Sequence, residues 1–96
     1  MNTDDKITVI LDAIRREYVR ADAAYPAYHS GHEGAAVIRE ELDELWDCVK
    51  KSKRTDADGV MCIEALQVAT TAMRFILDLS DFEEFQATLS GFERTR

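Results

Sequence analysis

Two groups of oxygen-bearing side chains could do chemistry together. The first is Glu40-Glu41-x-x-Glu44, in which Glu41 and Glu44 stand three residues apart and Glu40 and Glu44 four apart. The second is Glu64-x-x-Gln67, followed at helical spacing by Thr71, Arg74 and Asp78. Residues three or four apart are neighbours on a helix, so each group would share one face. Clustered carboxylates repel one another, and a hard cation such as Mg²⁺ relieves that repulsion because it takes oxygen ligands from few carboxylates together with substrate phosphates. An E-E-x-x-E run is also what an ordinary solvated helix face looks like. The polar stripe of the second group is the stronger signal, because it interrupts an otherwise apolar segment and must face water, a partner or a ligand.

The elements that would carry these groups are helical. Ile7, Ile10, Leu11, Ile14, Tyr18, Ala21 and Tyr25 recur at steps of three and four, predicting an amphipathic helix capped by Thr3 or Asp4 and ended by Pro26. Ser30 and Glu33 have capping-box spacing and open a second helix with Ala35, Ile38, Leu42, Leu45 and Val49 on one face. That helix closes in Lys50-Lys51-Ser52-Lys53-Arg54, cations suited to a helix C-terminus. A third helix runs from about Val60 to Leu79, capped by Asp56 or Asp58. Ser80 and Glu83 form another capping box for a short fourth helix bearing Phe82, Phe85, Leu89 and Phe92, with Gly91 near its end. No segment alternates with period two, so the expected class is all-α: one domain over residues 1–96, built as a four-helix bundle.

At 100° per residue the apolar side chains of the third helix cover about 200° of arc, against little more than 100° for an ordinary surface helix. Burial against a second copy of the chain is the expected consequence, giving a homodimer or homotetramer. No run of apolar residues approaches membrane-spanning length, since Gln67 and Arg74 interrupt the best one. A net charge of −7 argues against binding a nucleic acid polymer or an anionic membrane. Cys48 and Cys62 fit no disulfide scaffold or zinc motif, and the acidic N-terminus lacks the features of a secretory signal. A cytoplasmic setting is expected.

Other constellations fail. His32-Glu33 is not followed by the second histidine of H-E-x-x-H, because residue 36 is Ala. Asp56-x-Asp58-Gly59 lacks the closing acid of an EF-hand, since that position falls on Ala65. There is no E-x-x-H for a di-iron bundle and no glycine-rich phosphate loop. Trp46, Tyr25 and Tyr28 could stack a nucleobase or could simply pack.

Taken together, the segment from His32 to Asp47, with its Glu40-Glu41-x-x-Glu44, and the later Glu64-Ala65-Leu66-Gln67-Val68-Ala69 and Arg74-Phe75-Ile76-Leu77-Asp78-Leu79 resemble short MazG-like proteins of the all-α nucleoside triphosphate pyrophosphohydrolase superfamily. The resemblance spans roughly residues 28–79 and rests on E-E-x-x-E, a spacer of 19 residues, and E-x-x-Q where the family pattern has E-x-x-D. It implies Glu41, Glu44, Glu64 and Gln67 as Mg²⁺ ligands. The amide at position 67 offers an oxygen without the charge, and Cys48 stands where such sequences often carry an acid. The implied reaction converts a nucleoside triphosphate to its monophosphate and pyrophosphate, often to remove non-standard nucleotides. Glu40 or Glu41 would orient the attacking water, and Lys50, Lys53, Arg54 and Arg74 are candidates for the outer phosphates. For the lysines and Arg54 the alternative is helix-end charge, and for Arg74 an ion pair with Asp78. A non-catalytic nucleotide- or protein-binding module on the same fold is the alternative that Gln67 suggests.

Overall fold

The computed structural model describes residues 1–96 as four helices and no strand: α1 (Thr3–Ala24), α2 (Gly31–Lys51), α3 (Gly59–Leu79) and α4 (Phe82–Thr95). The class expected from the periodicity is therefore the one observed. The helix starts are fixed by side chains that accept hydrogen bonds from otherwise unpaired amides. Ser30 Oγ accepts from Glu33 N at 3.1 Å, and Asp58 Oδ1 accepts from Met61 N at 2.9 Å. Pro26 holds Tyr25 in extended geometry, which ends α1.

Two caps differ from expectation. Asn2, not Thr3 or Asp4, caps α1, its Oδ1 accepting from Asp5 N at 2.8 Å. The acidic residues instead fill the first turn, where they complement the helix dipole. Asp81, not Ser80, caps α4, accepting from Glu84 N at 3.2 Å. Ser80 belongs to the end of α3, where its hydroxyl donates to the Ile76 carbonyl. Starting one residue later, α4 also runs on through Gly91 to Thr95.

α3 is the central element: α2 packs along it and α1 packs beside them, while α4 packs extensively against none of the other three. α2 and α3 pack tightly at Gly34. A Cβ built there would lie 2.6 Å from Phe75 Cδ2 and 3.1 Å from Tyr28 Cδ2, so the glycine that weakens the first turn of α2 is what lets the two helices meet. Thr70 and Thr71 are buried at the helix contacts, and their hydroxyls donate back to carbonyls of Leu66, Gln67 and Val68.

The single chain leaves much of its apolar surface in solvent. Ile7, Ile10 and Leu11 on α1, Leu42, Trp46 and Val49 on α2, and Phe82, Leu89 and Phe92 on α4 are all exposed. By length and composition α3 is apolar enough to cross a membrane, with a mean hydropathy of 1.5 over its best window, which corrects the expectation from uninterrupted apolar runs. The core helix of a soluble protein has the same composition.

Candidate metal centre

The polar stripe of α3 faces the acidic run of α2 across a cavity of about 610 Å³. α2 contributes Glu33, Glu40, Glu41 and Glu44, and α3 contributes Glu64, Gln67 and Arg74. α1 adds Glu17 and Arg20, and the loop between α1 and α2 supplies Tyr25, Pro26 and Tyr28. Six carboxylates and two guanidinium groups thus line one space, so its field favours cations.

Glu41, Glu44 and Glu64 converge: one carboxylate oxygen of each lies within 4.8 Å of the others. Burial pushes the Glu41 carboxyl above the ordinary range, and the neighbouring charges of Glu44, Glu64 and Glu40 push it further the same way. Three carboxylates from two rigid helices form a hard oxygen donor set that suits Mg²⁺ or Mn²⁺. Glu40 lines the same space but is exposed.

Gln67 lines the cavity one turn after Glu64, and its side-chain nitrogen donates to Glu17 Oε1 at 3.0 Å. Arg20 grips Glu17 in turn, its Nε donating to both carboxylate oxygens at 3.1 Å. Those bonds from Arg20, with a smaller contribution from Gln67, hold Glu17 below the usual carboxylate range against the effect of burial. Spacing to the other acidic groups does not single out Glu17 or Arg20. One signal was present: Glu17 lies three residues after Ile14 and four before Ala21, on the packed face of α1.

Arg74 is buried, and its terminal NH₂ donates to the Pro26 carbonyl at 3.0 Å while its guanidinium lies 4.7 Å from the centre of the Tyr28 ring. It forms no ion pair with Asp78, contrary to the alternative reading of that spacing. Asp78 Oδ2 instead accepts from Tyr28 N at 3.0 Å. Burial pushes the Tyr28 phenol above its ordinary range, with Arg74 opposing and Asp78 reinforcing the shift. Tyr28 Oη and Arg74 Nε are buried without a hydrogen-bond partner.

The other cations are elsewhere. Lys50 lies 3.4 Å from Asp47 Oδ1 and 5.8 Å from the centre of the Trp46 ring, and Arg54 pairs with Asp56 at 3.2 Å. Lys53 is exposed in the connection to α3. None of these three lines the cavity, so within one chain the structure brings only Arg74 of the four expected phosphate contacts to it. Of the aromatic candidates, Tyr25 and Tyr28 line it and Trp46 does not.

No protein-family profile, curated protein or solved structure matches the chain.

Proposed function

We propose that the chain is a Mg²⁺-dependent nucleoside triphosphate pyrophosphohydrolase of the MazG-like kind, converting a (d)NTP to (d)NMP and pyrophosphate by water attack at the α-phosphorus. The observation that carries this reading is the convergence of Glu41, Glu44 and Glu64 at the edge of a cavity of about 610 Å³. Such a volume is in the range of small-molecule sites. Glu41, Glu44 and Glu64 would hold the cation, with the Gln67 carbonyl as a further oxygen. When bound, the ion supplies the positive charge that phosphate oxygens require and lowers the pKa of water.

The chain's own residues do the remaining work. Glu40 or Glu41 orients the attacking water, both lining the same cavity wall of α2. Arg74 sets the wall of the site by holding the loop at Pro26. The exposed apolar faces of α1, α2 and α4 support assembly as a homodimer or homotetramer.

Purified protein incubated with Mg²⁺ and a panel of (d)NTPs should release pyrophosphate and monophosphate in equal amounts, and Glu41→Gln or Glu64→Gln should abolish release. Undiminished turnover in both variants would end the proposal. A second reading, a helical module that binds a nucleotide or a protein without turning it over, is favoured by the uncharged Gln67, whose nitrogen is engaged by Glu17. Calorimetric nucleotide binding without product, with turnover appearing in Gln67→Asp, would select it.

A further inference from the structure

Gln67 presents an amide to the cavity, and an amide can offer a cation either a carbonyl oxygen or an NH₂ group. Only the oxygen attracts the ion; the two ends exchange by a half-turn of the terminal torsion. Glu17 decides between them. An ionised carboxylate only accepts hydrogen bonds, so the edge of Gln67 that lies 3.0 Å from Glu17 Oε1 must be the NH₂ edge. The carbonyl oxygen occupies the opposite edge, and no protein donor satisfies it. Arg20 keeps Glu17 in place by donating to both of its oxygens.

An independent feature of the same cavity points to a guest. Tyr28 and Arg74 are 5% and 4% exposed, and each carries a polar atom with no partner in the protein. Both side chains line the space that Glu41, Glu44, Glu64 and Gln67 line. Buried polar groups without partners are rare in folded proteins, and their usual explanation is a ligand, water or ion.

We propose that Glu17 is a positioning residue for the cation site: it locks the Gln67 carboxamide so that its oxygen, not its nitrogen, is what α3 adds to the three carboxylates. The inference rests on the metal reading given above. The relay runs Arg20 to Glu17 to Gln67, and it makes α1, which carries none of the converging carboxylates, part of the site. Glu17 is already neutralised by Arg20, so its contribution is orientation and not additional net charge.

The test is a double-mutant cycle read by calorimetric titration of Mn²⁺ into the purified full chain, with circular dichroism to verify folding. Glu17→Ala should weaken Mn²⁺ binding about tenfold, the scale of a lost outer partner of a metal ligand. In a Gln67→Ala background the same change should cost less than about twofold, because there is no amide left to orient. Equal losses in the two backgrounds, or no loss in either, overturn the positioning role while leaving the metal reading intact. Failure of the unaltered protein to bind Mn²⁺ overturns both. Should Glu17→Ala not fold, Glu17→Met decides by the same cycle, since it keeps the length and helix propensity of the side chain but offers Gln67 no oxygen acceptor.

Discussion

Gly34 on α2 sits so close to Phe75 on α3 that a single added carbon would fall 2.6 Å from Phe75 Cδ2 and 3.1 Å from Cε2 of the same ring. Tyr28, in the cavity wall, is the third atom group within this contact. Gly34→Ala should gain up to about 1 kcal/mol in helix propensity and lose more than that to overpacking, for a net destabilisation of about 1–2 kcal/mol. Denaturant unfolding measures the difference. A variant as stable as the parent would show that the ring can move aside freely.

Glu41 gives the protein a distinctive dependence on pH. Burial and the nearby Glu44 raise its folded pKa, so the stability it contributes is fully present below the unfolded value and is lost as pH rises through the folded one. Glu17 runs the other way: its contribution is present above the unfolded value and is lost as pH falls through its lowered folded value. At neutral pH without divalent ions, Glu41→Gln should therefore be more stable than the parent, by about 0.5 kcal/mol or roughly 2–4 °C in Tm. Millimolar Mg²⁺ should reverse the order by stabilising only the parent. Thermal melts with and without the ion check both halves, and a parent protein indifferent to Mg²⁺ would count against the centre.

The loop before α2 is held by two hydrogen bonds from the last turns of α3, Arg74 to the Pro26 carbonyl and Tyr28 N to Asp78. Asp78→Ala leaves the Tyr28 amide without its acceptor, at a cost of about 1–3 kcal/mol. Hydrogen exchange at Tyr28 should accelerate by at least tenfold, while amides in the middle of α3 change only in line with global stability. Unchanged exchange at Tyr28 would mean that burial by the Arg74 side chain, and not the carboxylate, protects the loop.

Leu42, Trp46 and Val49 stand on one face of α2 and are all exposed in the single chain. If a second copy covers them, sedimentation should show self-association at micromolar concentration, and Trp46→Glu should shift it toward monomer by more than about tenfold. Trp46 is the sole tryptophan, so its emission should move to longer wavelength as the parent protein is diluted. A parent protein that stays monomeric at tens of micromolar would remove this surface from consideration.

Much of the architecture could be read from periodicity, because each helix carries a regular apolar stripe and two of them, α2 and α3, start at a cap the sequence offers. The stripe of polar residues on α3 was legible for the same reason: Glu64 and Gln67 break an apolar pattern that nothing else explains. Two kinds of detail were not legible. Cap choice between adjacent residues, Ser80 against Asp81, depends on which carbonyl the preceding helix end leaves within reach. Contacts such as Glu17 with Gln67 join residues 50 positions apart, and local spacing carries no information about them. The expectation that Lys50, Lys53 and Arg54 serve the site rested on sequence proximity to Glu44. Lys50 follows Glu44 by six residues on α2, which turns it about 120° around the helix axis, away from the cavity side.

The loop clamp also bears on how the chain is made. Pro26 and Tyr28 leave the ribosome well before Arg74 and Asp78, the two residues that fasten them. Until the final turns of α3 emerge, the nascent chain can form its first two helices but has no finished mouth for the acidic chamber. A ligand added during synthesis therefore meets a receptive site only once Arg74 and Asp78 have left the ribosome.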